Sequence, residues 1–173
     1  MNRRSALKNM ILASGGILTI PSWLQKWSND SLGTLNTSFT DYEVAIISSI
    51  ADTFIPHNGT IGALSVGVDK FLVALISECY PDNFIGEIRL HIESLDSLAY
   101  QNYNLYFTDC SKPQRESLLA KLSNSVNEND RSFIEFLKQQ TIRGFETSEE
   151  VLVNYHGYIL MPGFYDGDVE VTN

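Results

Sequence analysis

A chain of 173 residues is long enough for one domain with its own core and short for two. With 43% hydrophobic and 19% charged residues it falls outside the compositions that stay disordered. The net charge is −9, and the first 27 residues hold Arg3, Arg4, Lys8 and Lys26 without an acid, so the remainder stands at about −13 and makes a poor partner for nucleic acid or an anionic membrane.

The N-terminus couples a charged start, Met1 to Lys8, to a mildly apolar stretch from Met10 to Ile20. That is the layout of an export signal. Arg3 and Arg4, with Leu7 and Lys8 at the following offsets, resemble a twin-arginine signal, and Gly15 and Gly16 keep the apolar stretch weak. The stretch is too short for an ordinary membrane span. Two alternatives stay open, a general secretory signal that carries two arginines and a retained amphipathic helix. The signal is assigned to residues 1–27, a Ser/Asn/Thr/Gly-rich linker to 28–39 and a folded domain to 40–173.

The domain opens with a capping box, Thr40 with Glu43, ahead of Ile46, Ile47, Ile50, Ala51 and Phe54 at helical spacing. Pro56 stops that helix, and a Gly-containing loop follows to Val66. In the segment Asp52 to Pro56, Asp52 is expected to bond backbone donors of the loop while Pro56 sets its direction, a structural corner. A second helix is predicted from Val68 to Tyr80, and a longer one after Pro81-Asp82 carries Ile85, Ile88, Ile92, Leu95 and Ala99. Ser111 with Gln114 forms another box before Leu118, Leu119 and Leu122. Asp130 is read as the cap of a helix through Phe133 and Leu137, with Gly144 as its C-terminal stop. Thr147 to Glu150 caps a short helix to about Tyr155, and an irregular aromatic tail runs from His156 to Asn173. The fold class is all-α, with five to six helices in a single domain.

Chemistry-bearing motifs are sparse. His57, His91 and His156 are isolated, and no zinc, dinucleotide, phosphate-loop or nucleophile-elbow spacing occurs. Glu149-Glu150 and Asp166/Asp168 are explained by capping and a solvated tail. Cys79 and Cys110 leave two readings open, a disulfide outside the cytoplasm or two buried thiols.

Four stretches together resemble a known family, the small subunit (subunit 3, or gamma) of gluconate 2-dehydrogenase and related flavin dehydrogenases. They are the start Arg3 to Lys8; Ile50 to Pro56 with Gly62-Ala63 and Val68 to Phe71; Leu95 through Phe107 with the Ser111 to Leu122 helix; and Thr141 to Ser148 with Tyr155 and Pro162-Gly163. The resemblance implies a chain without catalytic residues, cofactor or metal of its own. It implies a large partner of the glucose-methanol-choline type carrying FAD, and a cytochrome c subunit in many complexes. It also implies that the signal takes the large subunit through the twin-arginine translocase as a folded passenger into the periplasm, where the complex associates with the membrane. Gluconate itself is not transferred, because members differ widely in sugar or polyol specificity. On this reading Tyr155, Tyr158, Phe164 and Tyr165 are the candidate partner interface, with packing onto the chain's own helices as the alternative. The contrasting function is a free-standing periplasmic enzyme or ligand-binding helical domain, which requires a deep pocket with polar groups around a histidine or acid.

Overall fold

The computed structural model describes residues 37–159 and Gly163. The chain divides into two units, Met1–Asn36 and Thr37–Asn173, and all described residues belong to the second. Arg3, Arg4, Leu7 and Lys8 therefore lie outside the described residues, as do Phe164 and Tyr165.

The described part is all-α. Its helices are α1 (Asp41–Phe54), α2 (Val68–Cys79), α3 (Asp82–Tyr103), α4 (Lys112–Ser123), α5 (Glu128–Glu146) and α6 (Glu149–Asn154). Short 3₁₀ turns at Leu64–Val66 and Phe107–Asp109 precede α2 and α4. Helix α1 packs on α2, α4 and α5, and α5 also receives α2, α4 and α3. The core forms where their apolar stripes meet: Ile46, Ile47 and Ile50 of α1, Leu72 and Ile76 of α2, Leu95 of α3, Leu118 of α4 and Leu137 of α5 are all buried. Phe39, just ahead of α1, is buried with them. The Arg89 guanidinium stands 5.8 Å above its ring, donates to the Ser38 carbonyl and pairs with Glu43 at 3.3 Å.

The helix starts follow local chemistry. Glu43 N–H donates to Thr40 Oγ1 at 3.3 Å, and Thr40 N–H donates to Glu43 Oε2 at 2.7 Å, which completes the box expected there. Ser111 N–H donates to Gln114 Oε1 at 2.8 Å in the second box.

Three expectations are corrected. The cap of α5 is Asn127, whose side chain accepts from Asn129 N–H at 3.1 Å; Asp130 sits inside the first turn. Gly144 does not stop α5, which continues to Glu146. It is buried where α2 crosses, and a Cβ there would stand 2.6 Å from Cδ1 of Phe71. The hydroxyls of Thr147 and Ser148 do not cap α6. They turn back and donate to the carbonyls of Arg143 and Phe145, each at 2.7 Å, and so satisfy the open end of α5.

The Gly62-Ala63 pair has a steric basis. A Cβ on Gly62 would stand 2.6 Å from the backbone nitrogen of His57, so only glycine lets the loop close on itself. Ala63 is buried, and its N–H donates to the Ile55 carbonyl at 2.8 Å, pinning the loop to the end of α1.

Candidate functional site

The helix ends bring three half-exposed tyrosines together on one surface. Tyr42 comes from the first turn of α1, Tyr100 from the last turns of α3, and Tyr106 from the loop that follows α3. They are 46%, 52% and 54% exposed. The Tyr42 and Tyr106 rings meet edge to face with centroids 6.4 Å apart, and Tyr100 and Tyr106 lie 6.0 Å apart at 38°. Asp96 of α3 fixes the group. Its Oδ2 accepts from the Tyr42 hydroxyl at 2.7 Å, and its Oδ1 accepts from the Phe107 N–H at 2.8 Å. The Tyr42 phenol is held above the ordinary tyrosine range, by burial of its hydroxyl first and then by the hydrogen bond to Asp96 and that residue's charge. Asn104 closes α3 in the left-handed conformation (φ 54°), which throws Leu105 and Tyr106 outward. A recess of about 380 Å³ opens beside these rings, lined by Asp96, Ser97, Tyr100, Gln101 and Tyr106. The recess residues all fall in the Leu95 to Phe107 stretch of the family resemblance, but Tyr42 comes from α1 and no local sequence signal pairs it with Tyr106.

A second depression, of about 520 Å³, lies between α3 and α5 and is largely apolar. Phe84, Phe133 and Phe136 line it, with Leu90 exposed at its side. His91 stacks on Phe133 at 4.8 Å and faces Asp130 at 3.6 Å, and Asp130 also accepts from the Ser125 hydroxyl at 2.9 Å. His91 is thus already in contact with a ring and a carboxylate of this chain, while Glu87, Asn129 and Ser132 complete the lining.

The corner expected at Asp52 and Pro56 forms with a different partner. Asp52 Oδ2 accepts from Arg115 Nη2 of α4 at 3.0 Å, and no backbone donor of the loop is used. Pro56 follows the C-terminus of α1 as expected, half-buried where the Gly62 turn folds back. Cys79 and Cys110 are free thiols, the first exposed and the second buried, so the disulfide reading is not realised. Burial, then the nearby Asp109 charge, push the Cys110 thiol up, against the opposing pull of Arg115.

The aromatic tail is outside the core where it is described. Tyr155 and Tyr158 are 62% and 50% exposed, and Ile159 beside them is exposed too. Tyr158 N–H donates to the Leu152 carbonyl at 2.9 Å, which holds the chain near the end of α6 without burying its ring. Neither ring is part of the buried core. Among the described residues, no group of three or more His, Cys, Asp or Glu side chains is placed to hold a metal, and no helix is long and apolar enough to cross a membrane.

Comparison with curated proteins and with solved structures gave no match. The family model described as gluconate 2-dehydrogenase subunit 3 matches residues 41–163, a span that begins at the first residue of α1 and includes every helix described above. By that match, the chain belongs to the gluconate 2-dehydrogenase subunit 3 family.

Proposed function

We propose that this chain is a non-catalytic subunit of a flavin-dependent dehydrogenase of the glucose-methanol-choline type, acting on a sugar or polyol. It stabilises the large subunit and escorts it through twin-arginine export to the periplasm. The family match over residues 41–163 carries the reading, since the family is defined as a subunit of a dehydrogenase complex. Two features support it. The exposed tyrosines of the α1–α3 surface and the exposed Tyr155 and Tyr158 are side chains of the type that anchor interfaces. The Arg3-Arg4 start is the sequence type that accepts folded cargo. FAD belongs to the large subunit on this account, and a cytochrome c subunit would complete the electron path.

The contrasting reading, a free-standing enzyme or ligand-binding domain, draws on the depression between α3 and α5. There the one histidine, His91, is stacked on Phe133 and faces Asp130 at 3.6 Å, and the walls are largely apolar. A largely apolar wall is a poor setting for the converging polar groups that a catalytic centre requires.

The two readings separate on the purified chain. The subunit reading expects no visible absorbance and no stoichiometric metal after expression without the large subunit. A flavin, haem or metal bound one to one would overturn it.

A further inference from the structure

We infer that the Tyr42–Tyr100–Tyr106 surface is a receptor for an arginine side chain presented by the partner subunit. The bearer of that arginine rests on the function proposed above; the chemistry of the receptor does not.

Three observations lead there. The first is geometry. Tyr100 and Tyr106, with centroids 6.0 Å apart, border a recess that Asp96 also lines, and Tyr42 meets Tyr106 edge to face at 6.4 Å beside it. Each ring presents an electron-rich face, and aromatic faces beside a carboxylate attract a cation. The second is rigidity. Asp96 is held by the Tyr42 hydroxyl at 2.7 Å and by the Phe107 N–H at 2.8 Å, one bond to each oxygen. A carboxylate oxygen has two acceptor positions, so each oxygen keeps the capacity for one more bond, and Asp96 lines the recess. A fixed acceptor pair suits the planar two-pronged guanidinium better than the compact, strongly hydrated ammonium.

The third is charge. Asp109 adds a second negative charge to this surface, felt by the Tyr42 phenol. The cations on neighbouring elements are committed elsewhere, Arg115 to Asp52 at 3.0 Å and Lys121 to the Asn102 side chain at 2.6 Å. The site thus carries net negative charge on a chain of net charge −9, and the complement it fits is a basic side chain. Three half-exposed tyrosines whose packing was purely internal would be expected to bury their rings; here all three stay about half exposed, and Tyr100 and Tyr106 border an open recess.

The test uses the full chain with ¹³C-labelled tyrosine rings, titrated with N-acetyl-arginine amide, with the lysine amide, and with the neutral isostere citrulline amide. The expected result is a saturable shift of the Tyr42, Tyr100 and Tyr106 ring signals by the arginine amide, with citrulline roughly tenfold weaker and lysine in between. Tyr106→Leu should abolish the shifts on the other two rings, and Tyr106→Phe, which keeps the aromatic face, should retain them. Tyr100→Leu serves as the second variant should Tyr106→Leu disturb the loop. Citrulline or lysine binding as tightly as arginine would overturn the proposal. So would equal shifts at Tyr155 and Tyr158, or unchanged binding by both leucine variants. Loss of this site with intact co-purification of a flavin subunit would remove the receptor and leave the subunit reading standing. Arginine binding in a chain that captures no such subunit would do the reverse.

Discussion

Gly144 and Phe71 meet where α5 crosses α2, so closely that a methyl group on Gly144 would stand 2.6 Å from Cδ1 of the ring. A helix interior normally gains up to about 1 kcal/mol when glycine becomes alanine. Here the gain is opposed by overpacking, which costs about 1–3 kcal/mol. Gly144→Ala should therefore lower stability by about 1 kcal/mol in urea denaturation, and Phe71→Leu in the same chain should recover part of it. A more stable Gly144→Ala chain would show that the two helices are not in the contact described.

The Asp52–Arg115 pair joins the end of α1 to α4 at 3.0 Å, with side chains 30% and 14% exposed. Asp52→Ala leaves the more buried guanidinium without its partner. Partial solvent screening discounts the cost of a fully buried pair to about 1–2 kcal/mol. In a double-mutant cycle with Arg115→Ala, the two losses should be less than additive. Additive losses would mean the contact contributes nothing.

Thiol chemistry should separate the two cysteines. Cys79 is exposed, whereas Cys110 is buried, and burial raises its thiol so that less thiolate is present at neutral pH. Ellman's reagent should titrate one thiol per native chain quickly and the second only on unfolding. Two fast thiols would show that the Phe107–Cys110 segment opens readily, and none in the exported protein would reinstate the disulfide.

The helices were legible because their signals are local. Thr40 with Glu43, Ser111 with Gln114, and Pro81 ahead of α3 lie within a few residues of the helix starts they specify. The corrections concern residues whose partners are distant or ambiguous. Asp130 and Asn127 are both good caps by type, and the backbone selected Asn127, leaving Asp130 to Ser125 and His91. Gly144 has the identity of a helix stop, but its reason is a phenylalanine on another helix. Asp52 finds Arg115 across the fold. The tyrosine surface is the extreme case. Tyr42 and Tyr106 stand far apart in the chain, and only the packing of α1 on the 3₁₀ turn before α4 brings them together.

Export should depend on the paired arginines. Changing both Arg3 and Arg4 to lysine keeps the charge of the start and removes the signature, so the chain should accumulate in the cytoplasm with its dehydrogenase partner. Fractionation and immunoblotting read this directly, and undiminished periplasmic recovery would assign the start to a general secretory signal.

The subunit claim is tested most directly by affinity purification of the full chain from cells of its source that also express a flavin dehydrogenase of the glucose-methanol-choline type. The account predicts a one-to-one complex carrying flavin absorbance, already present in the cytoplasmic fraction of the Arg3→Lys, Arg4→Lys chain. A chain ending at Asn154 keeps all of α6 and removes Tyr155 and Tyr158, so it should retain less of the large subunit. Recovery of the full chain alone, with the dehydrogenase soluble and folded in the same cells, would contradict the account.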